Sequence, residues 1–250
     1  MEGVKYFFRG SPDEINFKMF GFIHLILIAV ALLGVYLIYE NKNKLKRDNL
    51  SKLIKKTMAI ILLSQQAILY LWYAVTGYSN ITESLPLYNC RVAIICTALA
   101  LLTDKQRYKN ISVFWGIYGA VLSLIVVEGD PFSFPHYTMV SFFVGHILLL
   151  WGSFFILIVD EYTLSKDNLK PTLIFTNMYH LLLLIFDFYT GSNYDYLVEP
   201  PVFKNMFALV PQLVYSFVAI LAFNLLILLF YFLASKLKTY SEGVFASSEL

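Results

Sequence analysis

The chain has 250 residues, of which 58% are hydrophobic and 14% are charged, and its mean hydropathy is +0.66. Because an average soluble domain carries about 25% charged residues, this composition excludes an ordinary soluble protein and indicates an integral membrane protein. The formal net charge of +2 is too small to suggest a nucleic-acid partner.

The N-terminal region and the two cysteines show whether the sequence predicts a signal peptide or disulfide bonds. Residues 1–17 are polar and contain no short apolar core with a small-residue cleavage site, so they predict no cleavable signal peptide. Cys90 and Cys96 fall inside one apolar run, six residues apart, and therefore predict no disulfide framework.

Apolar runs of the length needed to cross a bilayer, about 20 residues, recur seven times along the chain. They predict an all-α, polytopic bundle of seven transmembrane helices that forms a single domain over residues 1–250. We expect three prolines, Pro86, Pro135 and Pro171, at or near the starts of the third, fifth and sixth spans, where a missing backbone N–H costs little. The predicted spans are about 17–39, 57–78, 85–102, 111–128, 137–159, 171–190 and 206–235.

The distribution of basic residues predicts the orientation of this bundle. Four basic residues lie on the side of the N-terminus: Lys5, Arg9, Lys18 and Lys204. Fourteen lie in the connections on the other side and at the C-terminal end: Lys42, Lys44, Lys46, Arg47, Lys52, Lys55, Lys56, Lys105, Arg107, Lys109, Lys166, Lys170, Lys236 and Lys238. The asymmetry predicts an external N-terminus, a cytoplasmic C-terminus and a multi-pass protein of the cell membrane.

Several chemically reactive side chains share one predicted depth in the membrane. With a helix rise of about 1.5 Å per residue, His24, Cys90, His146 and His180 lie roughly 8–15 Å from the outer ends of their spans. Asp187 follows His180 by seven residues and so shares nearly the same helix face. A polar layer in the outer half of a bundle predicts a site that opens to the outer leaflet or the exterior.

The segment LPLYNCR at 85–91 places Tyr88, Asn89, Cys90 and Arg91 at the start of the third span. A buried guanidinium is costly, so we expect Arg91 to snorkel outward, to pair with an acid such as Asp187 or Glu128, or to bind a lipid phosphate. A purely structural interpretation stays open, because intramembrane histidines often join helices and a lone cysteine often only packs.

Four segments in register resemble the YwaF-like family of bacterial membrane proteins, whose animal relatives include a phospholipid acyltransferase. These segments are FGFIHL at 20–25, LPLYNC at 85–90, GDPFSFPHYTMVSFFVGHILLL at 129–150 and NMYHLLLLIFDFYTGSNYDYLVEPP at 177–201. The family motif often reads LPLHLC, and Tyr88 replaces its histidine here. The resemblance implies that Cys90 accepts an acyl chain and that His146 is its base.

Acyl transfer through an enzyme thioester requires a thiolate, a base and donors for the oxyanion. His180 is the competing base, and Asn89 or Tyr88 is the candidate oxyanion donor. We assign Arg91 to a lipid headgroup phosphate or an acidic partner. The expected substrate is a membrane phospholipid, with a lipid or small molecule as acyl acceptor and with no cofactor or metal. The complete predicted substrate-binding set is Tyr88, Asn89, Arg91, His24, Asp187 and Tyr194.

The loop GSNYDYLVEPPVF after the sixth span predicts a lid over the outer mouth, with Tyr194, Tyr196 and Phe203 at the membrane interface; an ordinary aromatic belt is the alternative. Three other functions stay open. Pro211 and Gln212 suggest a PQ-loop transporter, although the sequence has no second PQ and no repeat. His24, His146 and His180 could together bind zinc. The aromatic-rich helices could instead form the binding surface of a receptor or assembly protein without turnover.

Overall fold

The computed structural model describes residues 2–13 and 17–248, with side chains up to Lys236, so the predicted charge at Lys238 lies outside the described side chains. Helices and loops make up the described part of the chain, which contains no strand. The all-α class predicted from hydropathy is therefore confirmed.

The helices alternate between long apolar segments and short connecting pieces. In chain order they are α1 (Glu2–Phe7), α2 (Phe22–Glu40), α3 (Lys42–Leu45), α4 (Asp48–Thr76), α5 (Asn89–Thr103), α6 (Gln106–Ile111), a π-helical segment (Ser112–Gly116), α7 (Ile117–Ile125), α8 (Tyr137–Ile158), α9 (Lys166–Thr190), a 3₁₀ turn (Tyr194–Tyr196), α10 (Lys204–Phe207) and α11 (Gln212–Ser248).

Five helices are long and apolar enough to cross a membrane: α2, α4, α8, α9 and α11 from Gln212 to Lys236. The third and fourth predicted spans differ from this pattern. α5 is apolar but has only 15 residues, and the fourth region consists of α6, the π-helical segment and α7 in direct succession. The protein thus has several membrane-spanning candidates, whereas seven spans and the orientation of the termini stay predictions.

Two prolines do not mark helix starts as expected. α5 begins at Asn89 rather than near Pro86, because tertiary contacts engage the preceding backbone: the Leu85 N–H donates to Tyr194 and the Leu87 carbonyl accepts from Tyr179. α9 begins five residues before Pro171, because the Ser165 side chain caps it by accepting from the Asn168 N–H. Pro171 therefore lies inside α9 and removes one backbone hydrogen bond.

α8 is the central helix, and it packs against α2, α4, α5 and α7. Small residues permit these close approaches, as is common between membrane helices. A Cβ atom added to Gly152 would lie 2.7 Å from Thr97 on α5, and one added to Gly116 would lie 2.3 Å from Ser153 on α8. Larger residues at either glycine would push the helices apart.

A buried chain of hydroxyls joins the π-helical segment to its neighbours. Thr97 donates to Ser112 at 2.7 Å, and Ser112 and Ser153 lie 3.0 Å apart. These bonds satisfy polar groups that would otherwise face only apolar atoms. They hold the segment in place, and it carries Trp115, which is fully buried.

Candidate functional site

The site forms at the N-terminus of α5, where unpaired backbone N–H groups create a partial positive charge. The Asp195 carboxylate occupies this position, since its Oδ1 accepts from the Asn89 N–H at 2.5 Å. Asp195 comes from the loop after α9, more than 100 residues away along the chain. A tertiary contact therefore completes the first turn of α5.

Hydrogen bonds within the loop after α9 hold Asp195 in place. α9 ends at Gly191 with a φ of 70°, and the Asp187 Oδ1 then accepts from the Ser192 hydroxyl at 2.5 Å and the Tyr194 N–H at 3.2 Å. Asp195 itself has a φ of 54°, in the left-handed region that a non-glycine residue seldom adopts. The bonds to Asn89 and within the loop hold this strained conformation in place, because strained backbone is retained where the surroundings require it.

Tyr194 anchors the same loop to the chain before α5. Its ring is fully buried, and its hydroxyl donates to the Ile81 carbonyl and accepts from the Leu85 N–H, each at 2.9 Å. The loop thus covers the end of α5, whereas Phe203 is 71% exposed. Asp187 and Tyr194 are thus both engaged in bonds that shape the loop, and their substrate-binding roles stay predictions.

His180 on α9 lies against this assembly and is fully buried. Its Nε2 is 3.0 Å from Asn89 Nδ2 and 3.5 Å from Asp195 Oδ2. Its Nδ1 and the Asp195 Oδ2 form no hydrogen bond within the described residues. A buried imidazole beside a carboxylate, with one nitrogen left unpaired, is an arrangement that can accept and hold a proton.

Aromatic rings enclose the His180 imidazole. Trp115 lies parallel to it, with ring centroids 6.0 Å apart, and Phe223 of α11 lies 4.5 Å away. Trp115 is oriented by a hydrogen bond from its Nε1 to the Thr176 hydroxyl at 2.9 Å. Tyr118 on α7 completes this wall, and its hydroxyl is 3.5 Å from Asn89 Nδ2. The rings exclude water from the imidazole.

Cys90 follows Asn89 in the first turn of α5 and is partly buried. The backbone N–H groups of Cys90 and Arg91 approach its sulfur, and the thiol is close enough to Tyr118 and Tyr179 to act on them electrostatically. No hydrogen bond joins the Cys90 sulfur to a histidine anywhere in the described chain. The thiol therefore lies beside the His180 assembly without being bonded to it.

Arg91 contacts neither of the acids named for it from the sequence. Its guanidinium donates to the Tyr70 hydroxyl at 3.3 Å and to the Tyr73 hydroxyl at 3.1 Å. Tyr73 in turn donates to Asp130 at 2.9 Å, so two tyrosines and a relayed carboxylate stabilise the charge. Of the alternatives open for Arg91, a direct pair with Asp187 or Glu128 does not form among the described residues, because tyrosines on α4 bind the guanidinium instead.

His24 does not join the site. Its Nδ1 accepts from the Phe20 N–H at 2.8 Å, which requires its Nε2 to carry the proton that it donates to the Leu124 carbonyl at 2.7 Å. Both ring nitrogens are thus engaged away from the α5 region, and the substrate-binding role of His24 stays a prediction. The residue joins α2 to the end of α7.

His146 on α8 lies in a different environment from His180. Its Nδ1 donates to the Phe142 carbonyl at 2.7 Å, and its Nε2 has no hydrogen-bond partner among the described atoms. No carboxylate among the described side chains forms a hydrogen bond with the ring. His24, His146 and His180 thus have separate hydrogen-bond partners. The described residues contain no cluster of three or more His, Cys, Asp or Glu side chains placed to hold a metal ion.

The loop carboxylates are electrostatically unusual. Burial raises the pKa of Asp195, although the neighbouring His180 acts in the opposite direction. Burial also raises the pKa of Asp130, and the Arg91 charge lowers it less strongly. Because perturbed carboxyl groups cluster at functional sites, the higher pKa values favour the region around α5 as such a site.

Sequence reasoning found Cys90, Asn89 and His180 but missed Asp195, Tyr118 and Trp115. Asp195 lies inside the quoted segment NYDY, where the predicted role went to Tyr194. An aspartate between two tyrosines in a loop beside a membrane was the available signal. Nothing in the hydropathy pattern predicted its left-handed conformation or its contact with α5.

Comparison with known proteins gives one result. The profile of the TMEM164 family, a family of membrane proteins, matches residues 17–234. No curated protein and no solved structure matches the chain. The match covers all the long apolar helices up to residue 234 and every residue of the site described above. The chain therefore belongs to the TMEM164 family.

Proposed function

We propose that the protein is an intramembrane acyltransferase that moves an acyl chain from a membrane phospholipid to a second lipid or small molecule through a thioester on Cys90. The observation that carries this proposal is the buried His180–Asp195 pair at the N-terminus of the helix that bears Cys90. The resemblance of LPLYNC and its companion segments to the YwaF-like family agrees with it.

His180 is the proposed base. In acyl transfer through a nucleophile, an imidazole takes the proton of the nucleophile while a carboxylate on its other side stabilises the imidazolium. The unpaired Nδ1 of His180 is available for that proton, and Asp195 lies on the Nε2 side. His146 also has an unpaired nitrogen but no carboxylate partner, so it is the second candidate.

The proposed first step forms a bond between the Cys90 sulfur and the ester carbonyl carbon of the phospholipid. His180 receives the thiol proton and then gives it to the departing alkoxide, which leaves as a lysophospholipid. In the second step the acceptor hydroxyl attacks the thioester, and its proton returns to sulfur through His180. Cys90 can approach the imidazole in the complex even though the free protein has no such bond, because catalytic contacts often tighten only with substrate bound.

Two further roles follow from the positions of neighbouring groups. The N–H groups at the start of α5 favour negative charge on the Cys90 sulfur. Asn89 is engaged with His180 and Tyr118, so it fits a positioning role better than the predicted oxyanion role. Tyr88, whose ring packs against Tyr194 at 5.0 Å, is the proposed oxyanion donor. Arg91 is proposed to attract the lipid headgroup phosphate.

The proposal includes a topology. Seven spans with the N-terminus outside the cell membrane would place the N-terminus of α5 at the outer leaflet. The basic residues of the connections support this orientation. A single cysteine introduced into the loop at 79–84 of a cysteine-free variant should react with an impermeant thiol reagent on intact cells. One introduced at 41–47 should not, and the reverse pattern would invert the assigned leaflet.

The decisive experiment uses purified protein in vesicles that contain a phosphatidylcholine with a labelled acyl chain and an unlabelled lysophospholipid acceptor. Mass spectrometry of the lipids should show transfer of the labelled chain, and the intact protein should carry one acyl mass. Cys90→Ala should abolish both signals, whereas Cys96→Ala, a cysteine two turns further along α5, should retain them. Full transfer by folded Cys90→Ala would refute the thioester.

The identity of the base is tested in the same assay. We expect His180→Gln to reduce transfer by roughly 10²- to 10⁴-fold, the usual contribution of a general base. His146→Gln is the matched control, because it also removes a buried imidazole with one unpaired nitrogen. A larger loss in His146→Gln than in His180→Gln would reverse the assignment.

A further inference from the structure

α11 forms one side of the cover around His180. Among the α11 side chains described, only Ser216 and Ile227 are buried, so this helix packs lightly on the rest of the protein. Its Phe223 nevertheless lies directly against the imidazole, with ring centroids 4.5 Å apart. Displacement of α11 would expose the imidazole to lipid.

The other sides of the imidazole are closed by better-anchored groups. Trp115 covers one face of the ring and is itself fully buried and hydrogen-bonded to Thr176. On the outer side, Tyr194 and Asp195 are buried and hydrogen-bonded to the chain around α5. The loop after α9 is therefore a fixed cover, and it is poorly suited to the opening and closing of a lid.

A pair of asparagines fastens α11 to α9 beside this point. Asn177 and Asn224 donate to each other through their side-chain amides, at 2.8 and 3.1 Å. Each amide nitrogen also donates to a carbonyl of its own helix, Leu173 at 2.7 Å and Ile220 at 2.8 Å. Separation of the helices would break the mutual bonds but leave each amide one bond to its own backbone. Hydrogen bonds of this kind between membrane helices are weak enough to open.

We propose that the seam between α9 and α11 is the entry for one acyl chain of a membrane lipid, with the Asn177–Asn224 pair as its latch and Phe223 as its plug. The ligand is the acyl chain of a lipid in the bilayer, because the seam opens between two lipid-facing helices and its plug is an apolar ring. A water-soluble acyl donor would have to pass the fixed cover instead. The claim that this acyl chain belongs to the substrate rests on the proposed acyl transfer, whereas the entry route does not.

The test uses Cys90 as a reporter of access. The chain has two cysteines, so Cys96→Ala leaves a single thiol beside the site. In vesicles, the rate of Cys90 alkylation is followed by intact mass with two reagents: a maleimide with a long alkyl chain, which dissolves in the bilayer, and a charged maleimide, which stays in water. Alkylation rates report access and require no turnover.

Asn224→Leu should accelerate alkylation by the bilayer-soluble reagent about tenfold, since it removes the bonds between the helices at nearly constant volume. Phe223→Ala should accelerate it as well, through loss of the plug. The charged reagent should react at the parent rate in both. Leu225→Ala is the matched control, because Leu225 is the next residue of α11 and is 56% exposed.

Unchanged rates in both Asn224→Leu and Phe223→Ala would overturn the lateral entry. An equal acceleration with the charged reagent would also overturn it, because that result means general loosening or an aqueous path. If Asn224→Leu does not fold, Asn177→Leu removes the same pair from the other helix. Accelerated access without any acyl transfer would refute the proposed function and leave the entry intact.

Discussion

Two regions of the molecule each contain a fully buried histidine but differ in how the polar groups around it are bonded. In the first, the N-terminal arm (residues 2–13) docks on the loop before α8: Arg9 pairs with Asp13 and donates to the Ser133 carbonyl at 2.9 Å. His136 accepts from the Thr138 N–H with its Nδ1 and donates to the Arg9 carbonyl with its Nε2. Both nitrogens of this fully buried histidine are satisfied.

In the second region, around the start of α5, His180 and Asp195 each have a buried polar atom without a hydrogen bond within the described chain. Native structures rarely leave such atoms unpaired, because each costs about 1–3 kcal/mol of stability. The comparison separates His136, whose bonded ring joins the arm to the fold, from His180, whose unpaired Nδ1 faces the region to which we assign the proposed chemistry.

The largest expected effect is a loss of acyl transfer in Asp195→Asn, which tests the region around the start of α5. The new side chain keeps an oxygen for the Asn89 N–H but loses the negative charge facing His180, so transfer should fall by roughly 10²- to 10⁴-fold with the fold intact. The vesicle assay measures the rate, and thermal unfolding in detergent measures the fold. Asp187→Asn is the control: it alters a buried carboxyl near the C-terminal end of α9 whose bonds to Ser192 and Tyr194 shape the following loop, and its folded fraction should retain the rate. A normal rate in Asp195→Asn would remove Asp195 from the mechanism.

An intermediate effect is expected for His24→Phe, which tests a histidine whose two ring nitrogens are both hydrogen-bonded. The aromatic ring is kept, but the Leu124 carbonyl and the Phe20 N–H lose their partner, which should lower the free energy of unfolding by roughly 1–3 kcal/mol. Transfer per folded molecule should not change. Thermal unfolding and the vesicle assay, performed on the same preparation, distinguish the outcomes. A slower reaction at unchanged stability would return His24 to the site.

The smallest expected effect concerns the docked arm. Hydrogen bonds from Arg9 and Ser133 hold the pKa of Asp13 well below its ordinary value of 3.8. A lowered carboxyl pKa contributes stability that is fully present above 3.8 and is lost as the pH falls through the folded value. Protection of residues 2–13 from hydrogen exchange should therefore decrease in acid. Asp13→Asn should show weaker protection at neutral pH and no further loss in that acid range.

His136, in the loop on which the arm docks, titrates in a separate range. Burial lowers the pKa of His136 from its ordinary 6.5, so its contribution declines already as the pH falls below 6.5. A loss near pH 6 that persists in Asp13→Asn would belong to His136. An acid step that persists below 3.8 in Asp13→Asn would contradict the role of Asp13.

The sequence predicted the helical class, because hydropathy over 20 residues is a local property. It also predicted that His180 and Cys90 belong to one region. It did not predict the start of α5, which tertiary bonds to Leu85 and Leu87 determine. The shared depth of His24, His146 and His180 was a misleading guide to a common site, because depth ignores the rotation of each helix about its axis.

Asp195 shows the other limit of sequence reasoning. Its role depends on a left-handed φ and on a contact with Asn89 that is distant in sequence. Neither hydropathy nor spacing encodes such a contact. The same is true of the Asn177–Asn224 pair, whose two members were each consistent with ordinary helix association.

The π-helical segment has a consequence for how length changes act on this fold. A π-helical turn accommodates one residue more than the same stretch of α-helix. Deletion of one residue within Ser112–Gly116 would therefore restore α-helical geometry and leave α6 and α7 close to their present relative orientation. Deletion of one residue from the regular part of α6 or α7 would instead rotate the preceding residues against the following ones by about 100°. The helix that carries Trp115 thus has one stretch where a residue can be lost with little movement of its two ends, and that stretch includes the wall of the site.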